Sequence, residues 1–418
     1  MNLLEQFYTE RQSTIDLREL ADRTPHIVVG ITSPQTCLVL GGRFRALREA
    51  GFRVTLVASP GDRLNEMEES EGIDAVGIPM ARKFTLAGDA LSFVRLWFLL
   101  KKLRPDVVEF STPKAGLLGM LAAVLAGVPR RVYLLRGLKL ESTTGFKRRL
   151  LLEVERIAAA CAQIVLCVSS SLQIKALSLD LAPARKLRML GSGSSRGVDI
   201  EHFRPGDSDV CRRFGVPRDA RVIGFVGRFT RDKGIPALID AFELVLQAMP
   251  QTYLLMVGWF DDADDSLDRK MRDRITRHPS IVCTGFVEDT APYYRAMDLL
   301  ILPTRREGFP NAVLEASATE IPVLTTLSTG ACDSVIHGVT GLLVPGDRAS
   351  ICEATVRLLY DSDQCKRMGS AGRAWVIEHF ENQRILALTT SFYKSLLKPN
   401  VADLPREEPA MDLAVRLR

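Results

Sequence analysis

The sequence predicts an α/β protein made of two Rossmann-like domains, each a parallel sheet covered by helices. Three observations predict it. Short apolar runs alternate with amphipathic helical stretches, in two successive series. At 418 residues the chain exceeds one typical domain. Between the series lies GSGSSRGVDIEHFRP, residues 191–205, whose Gly and Ser content and closing Pro read as a hinge.

Residues 1–25 are polar and read as an N-terminal extension; their acids and lack of an apolar core exclude a secretory signal. The first domain spans 26–200. HIVVGIT (26–32) is a strand, 40–51 a helix with a Gly stop, RVTLVAS (53–59) a strand, 61–71 a helix and DAVGIPM (74–80) a strand. The first turn lacks G-x-G-x-x-G, which excludes a dinucleotide fingerprint. Thr85 to Arg104 is a helix with Phe93, Trp97 and Phe98, closing on Lys101 and Lys102. A core-facing crossover helix with cations at its C-terminus is favoured; a helix lying in a membrane interface is the alternative. Strand 106–111 leads to Lys114 ahead of a helix, and strand 130–137 delivers Arg136 to the same edge. Lys147, Arg148 and Arg149 open the next helix, where cations oppose the dipole and so do not serve stability. Lys114, Arg136 and this run are expected to face a polyanionic acceptor such as a lipid diphosphate. Strands 163–169 and 186–192 complete the domain.

The second domain spans 201–383. Its first strand ends at Gly227, followed by Arg228 and, at a helix start, Lys233 and Gly234. Two cations there can clamp a diphosphate and neutralise it as it leaves. Asp261, Asp262, Asp264 and Asp265 follow the next strand. Acids also suit a helix start, and no catalytic metal is expected. The stretch Leu302 to Thr326 organises the rest. After an apolar strand, a loop at 304–310 carries Arg305, Arg306, Glu307 and Gly308; a helix begins at Asn311 and contains Glu315. Glu307 therefore sits beyond the carboxyl end of a strand, where α/β sheets bind ligands. The helix start offers N–H groups to a phosphate.

Two carboxylates separated by seven residues, continued through Gly308, Phe309 and the Leu-Glu-Ala at 314–316, resemble the signature of family 4 retaining glycosyltransferases. The Gly-Arg and Lys-Gly pairs at 227–228 and 233–234 belong to the same resemblance, as do Gly-Val-Asp at 197–199 and Phe203. It covers roughly residues 26–400 and is closest to bacterial enzymes of lipid-linked capsular, exopolysaccharide or glycan assembly. It implies the GT-B fold, with two Rossmann-like domains facing each other across a cleft. A terminal helix (384–400) would cross back to the first domain, and 401–418 would be a mobile tail. It implies transfer of a hexose or N-acetylhexosamine, with retention, from a UDP-sugar to a saccharide or polyprenyl-diphosphate-linked saccharide. Arg228 and Lys233 would hold the diphosphate, Glu307 the sugar and Glu315 the ribose. Gly308, Phe309 and Asn311 would add backbone N–H groups, with Pro310 in the same donor-binding loop, and Phe286 and Val287 would meet the base. Gly41 and Gly42 would lend backbone on the acceptor side with Lys114 and Arg136. The same fold also hosts UDP-sugar epimerases or hydrolases, and a non-catalytic nucleotide-sugar-binding protein is a further alternative.

Four positions depart from the family. A His is often found where this chain has Thr112 or Pro113. Arg196 replaces Asn, Glu320 a Gly, and Asp333 a Glu. No cofactor and no nucleic-acid partner are implied. The eight Cys form no C-x-x-C pair, as in a reduced cytoplasmic protein without zinc. Residues 1–205 carry net charge +8 and the remainder −3, so a peripheral contact of the first domain with the anionic inner face of the membrane is expected.

Overall fold

The computed structural model describes residues 24–33, 40–81, 85–262 and 265–398. The tail (401–418) and nearly all of the extension (1–25) lie outside them, as does Asp264. The first sheet has seven strands: β1 (His26–Gly30), β2 (Arg53–Ala58), β3 (Asp74–Gly77), β4 (Val107–Ser111), β5 (Arg130–Leu135), β6 (Ile164–Cys167) and β7 (Leu187–Met189). Their order is β3-β2-β1-β4-β5-β6-β7, and every pairing is parallel. Six helices connect them: α1 (Arg43–Glu49), α2 (Asp62–Glu71), α3 (Leu86–Leu103), α4 (Pro113–Ala126), α5 (Gly145–Cys161) and α6 (Ser170–Ser178).

The second sheet holds β8 (Arg221–Val226), β9 (Thr252–Val257), β10 (Ile281–Cys283), β11 (Leu299–Leu302), β12 (Val323–Thr326) and β13 (Gly341–Val344), in the order β10-β9-β8-β11-β12-β13. Its helices are α7 (Ile235–Ala248), α8 (Arg269–Arg277), α9 (Asn311–Ala318), α10 (Arg348–Tyr360) and α11 (Ser362–Phe380); α12 (Asn382–Leu396) follows. Strands such as β11, Leu-Leu-Ile-Leu, are buried at every residue because helices cover both faces of a parallel sheet. In each sheet the strand order reverses at its first strand, between β1 and β4 and between β8 and β11. A crevice opens at the carboxyl ends of such strands.

Two boundaries differ from the sequence reading. β3 stops at Gly77, and Met80 instead bonds through its N–H to the Ser59 hydroxyl at 2.9 Å. The helix expected from residue 40 starts at Arg43, because Gly42 takes φ 78°. α12 packs Tyr393 and Leu396 into the first domain's core, so that core is completed by the far end of the chain. The linker is fastened rather than loose. Val198 bridges Glu381, and Asn382 Nδ2 donates to the Arg196 carbonyl at 2.8 Å.

α3 buries Ser92, Leu96 and Leu100 and leaves Leu86, Leu91, Val94 and Phe98 exposed. The crossover role therefore holds for one face, and the opposite face remains apolar and open. Beneath α1, the Arg43 guanidinium binds both oxygens of Glu109, and Tyr393 Oη donates to the same carboxylate. This buried cluster straps α12 to β4.

Candidate active site

The loop after β11 is braced by a hydroxyl from β12, by the chain at Thr329 and by one distant acid. Thr326 Oγ1 donates to the Thr304 carbonyl at 2.5 Å, and Glu307 N–H donates to the Thr329 carbonyl at 2.8 Å. Asp232, from the segment before α7, accepts from Arg306 at 2.5 Å and from Ser142 at 3.1 Å. Gly234 caps α7 at φ 74°, and a Cβ there would meet the Pro303 carbonyl oxygen at 1.9 Å. The Gly of the Lys-Gly pair is thus a requirement of close passage to β11.

The structure brings four of the expected donor groups to one cleft edge and pairs each internally. Arg228 Nη1 meets Asp261 Oδ2 at 2.5 Å, with the arginine side chain 40% and the acid 11% exposed. Lys233 Nζ meets Glu307 Oε1 at 2.5 Å, with 23% and 12% exposed. Glu315 accepts from Tyr294 Oη at 2.8 Å and from Arg196 Nη2 at 3.2 Å. Burial and the neighbouring Glu315 push the Tyr294 hydroxyl well above its ordinary range, so it stays a donor. The acids that follow β9 have partners of their own. Asp261 holds Arg228, Asp262 meets Arg272 at 2.5 Å, and the Asp265 carbonyl accepts from Arg231 N–H. Among the described residues no group of three His, Cys, Asp or Glu is placed to hold a metal ion.

α9 has Pro310 at its N-cap and no side-chain cap, so its first N–H groups have no side-chain partner among the described residues. Gly308 lies against the first domain: a Cβ on it would stand 2.4 Å from the Arg136 carbonyl oxygen. Phe309 stacks at 5.0 Å on Phe380 and touches both cores, so its ring works as interdomain packing. Phe286 is 46% exposed and stands edge-to-face with Trp259 at 5.4 Å, whereas Val287 packs partly into the second core.

The acceptor-side residues fare differently. Lys114 is buried and bound to Asp89 on α3 at 2.7 Å, which ties α4 to α3 and removes it as an open cation. The Gly42 N–H is taken by Glu71 Oε1 at 2.7 Å, so the α1 start is already capped by a carboxylate. Gly41 has open space around it. Arg136 does stand at the cleft floor, where its Nη2 reaches Ser195 Oγ at 3.3 Å. Lys147 and Arg149 are exposed on α5, toward the outside of the domain. Sequence reasoning missed Asp232, Asp261, Tyr294 and Ser195; Asp261 stood in the sequence as one of four acids, with no sign of its partner. Asp333 accepts from Ser171 of the first domain, and Glu320 takes φ 62°, the left-handed conformation that explains a Gly in relatives.

The profile for glycosyl transferases group 1 matches residues 220–361, and that of a glycosyl transferase 4-like domain matches residues 40–193. The capsular polysaccharide biosynthesis glycosyltransferase CapM of Staphylococcus aureus is 35% identical over 370 residues, covering 88% of this chain and 96% of CapM. The chain is a group 1 glycosyltransferase. A second relative of this glycosyltransferase is the UDP-Gal:alpha-D-GlcNAc-diphosphoundecaprenol alpha-1,3-galactosyltransferase of Escherichia coli, 27% identical, covering 81% of this chain and 90% of that one. Solved structures share the fold. HepE of Anabaena, in complex with UDP and glucose, aligns with TM-score 0.74 at 20% identity, covering 89% of this chain and all of HepE. Sucrose-phosphate synthase of Thermosynechococcus elongatus aligns with TM-score 0.76 at 21% identity, covering 89% and 99%. The expected GT-B architecture, two parallel-sheet domains about a cleft, is the one found.

Proposed function

We propose that this glycosyltransferase moves a hexose or N-acetylhexosamine from a UDP-sugar, with retention, to a polyprenyl-diphosphate-linked saccharide in surface polysaccharide or glycan assembly. The observation that carries the reading is the row of exchangeable ion pairs at the second domain's edge. Each pairs a cation able to bind phosphate, or a carboxylate able to bind hydroxyls, with a protein group standing in for the ligand. On donor binding, Lys233 turns from Glu307 to the β-phosphate, and Glu307 accepts from sugar hydroxyls. Arg228 has donors beyond the one on Asp261 and binds the diphosphate with them. The α9 N-terminus supplies further N–H groups. Glu315 takes the ribose hydroxyls as Arg196 moves aside. The acceptor hydroxyl then attacks C1 on the face the phosphate leaves, the C1–O bond breaks, and the departing phosphate oxygen takes the acceptor proton. Charge neutralisation by Arg228, Lys233 and the helix end makes a metal unnecessary.

The name of the Escherichia coli relative, which acts on a diphosphoundecaprenol-linked sugar, supports a lipid-linked acceptor. The surface of the first domain supports contact with a membrane. Of 18 large apolar side chains exposed among the described residues, eleven lie on α3 to α6, including Leu86, Phe98, Leu125 and Phe146. Exposed Arg95, Lys101, Lys102, Lys147 and Arg149 accompany them. No helix among the described residues is long and apolar enough to cross a bilayer. Apolar contact with a basic rim is the chemistry of docking on anionic lipid.

A thermal-shift screen against UDP, GDP, ADP and their sugars tests the donor. Ligand at 100 times its Kd adds about 2.7 kcal/mol. UDP and one UDP-sugar are expected to shift the transition; a shift with GDP or ADP alone overturns the base assignment. Co-sedimentation with anionic vesicles, weakened by salt, is expected; equal binding to neutral vesicles overturns the electrostatic part.

A further inference from the structure

Three guanidinium groups converge below the Glu307–Gly308 loop, where the domains and the linker meet. Arg43 opens α1, Arg136 follows β5, and Arg196 belongs to the linker. Glu109 is bonded to Arg43 and Glu315 to Arg196. Arg136 differs: among the described residues no carboxylate is bonded to it. Its Nη2 donates to Ser195 Oγ at 3.3 Å, and its Nη1 is buried with no acceptor. A buried, charged N–H without a partner is costly and rare, which makes it an indicator of an absent ligand. Burial and the nearby Arg43 draw the guanidinium down to about 10, Arg196 adds to this and Glu109 opposes it. The group remains charged at neutral pH, in a positive field. Beside it a cavity lined by Arg43, Val168, Ser194, Ser195 and Thr389 has room for about one water.

The main chain at Arg136 and Gly137 touches that of Glu307 and Gly308. The Arg136 backbone therefore lies directly against the loop that carries Glu307, and its side chain runs from there to Ser195 of the linker. We infer that Arg136, with Ser195, binds a phosphate of the acceptor's diphosphate group at the cleft floor. This rests on the diphosphate-linked acceptor proposed above. The donor diphosphate already has Arg228, Lys233 and the α9 start, all in the second domain. Arg136 comes from the first, the side from which the acceptor enters. Since the pocket as it stands holds about one water, a phosphate enters with the domains apart. Ser195 lies on the linker, so the site is completed as they close.

Calorimetric titration of the UDP-saturated full-length chain with inorganic pyrophosphate, and separately with farnesyl diphosphate, tests the inference. UDP fills the donor clamp, so the probes report a second anion site. Wild type is expected to bind both. Arg136→Gln is expected to weaken both at least tenfold and Ser195→Ala by a few-fold, while Arg136→Lys recovers part of the affinity. UDP affinity measured alone stays within twofold in all three. A tenfold loss of UDP affinity in Arg136→Gln assigns the anion to the donor and overturns the acceptor site. Unchanged probe binding in Arg136→Gln, or no binding to the UDP-saturated wild type, overturns it as well. Should wild type fail to bind UDP, the donor reading falls instead, and the two failures are told apart by that first titration. Ser195→Ala removes one hydroxyl and carries the test if the Arg136 variants unfold.

Discussion

The two domains share one fold but place their charged pairs differently. In the first domain the groups nearest α12 and under the sheet are buried. Arg43 and Glu109 are 2% and 1% exposed and are joined by Tyr393, while Glu155 lies bonded to Tyr133 at 2.5 Å beneath the sheet. The second domain holds Arg228–Asp261 and Lys233–Glu307 at the cleft edge, each with one partner at least 23% exposed. Burial decides what such a pair can do. A fully buried pair has no competing solvent or ligand, and removing one member strands a charge. A pair at the rim loses little when a phosphate or hydroxyl replaces one partner. The Arg43–Glu109 pair is therefore a fastener, and the two rim pairs of the second domain are exchangeable contacts.

The largest effect should break the first domain. Arg43→Ala leaves Glu109 buried and unpaired and is expected to cost about 3–5 kcal/mol in urea unfolding; a loss below about 1 kcal/mol would erase the distinction between the halves. At the rim, Glu307→Gln should leave stability nearly untouched. It should lower kcat about 100-fold, roughly 2.7 kcal/mol of barrier, with UDP affinity little changed because UDP lacks the sugar. Equal turnover would remove Glu307 from the site. Arg228→Ala is expected to weaken UDP binding by roughly 1.5–3 kcal/mol, read by calorimetry.

Glu155 offers a pH test of burial. Desolvation raises its carboxyl to about 7 against an ordinary 4.5, with the Tyr133 hydrogen bond opposing. Below pH 4.5 both folded and unfolded chains hold the proton. Between there and about 7 only the folded chain does, so stability falls as pH rises, by about 3 kcal/mol in all. Glu155→Gln should flatten this slope in thermal unfolding from pH 5 to 8; an unaltered slope would place the titration elsewhere. The smallest effect is expected at Glu320, whose φ of 62° costs a non-glycine residue about 1 kcal/mol. Glu320→Gly should recover it with activity unchanged, and a loss of stability would contradict the backbone reading.

Much of the donor edge was legible because its residues sit on one strand-loop-helix unit and one strand-loop segment. The positions of Glu307, Glu315, Arg228 and Lys233 follow from local pattern alone. Their partners were not legible. Asp261 lies 33 residues from Arg228, and Arg196 lies 119 from Glu315. The same blindness misdirected the acceptor reading. Lys114 and Gly42 looked available at their helix starts, yet Asp89 and Glu71 reach them from helices 25 and 29 residues away. Phe286 and Val287, adjacent in sequence, part company because one faces the cleft and the other the core.

By itself the sequence determined the alternation of strand and helix, the division at the linker, and the four charged groups of the donor edge. Period, turn chemistry and short-range spacing encode these, and all three act within a few residues. Tertiary structure alone decided which charges are fasteners, which can exchange with a ligand, and which, like Arg136, keep one buried N–H without an acceptor. Those properties depend on desolvation and on partners as far as 350 residues away, as Tyr393 is from Arg43, and no local pattern records them.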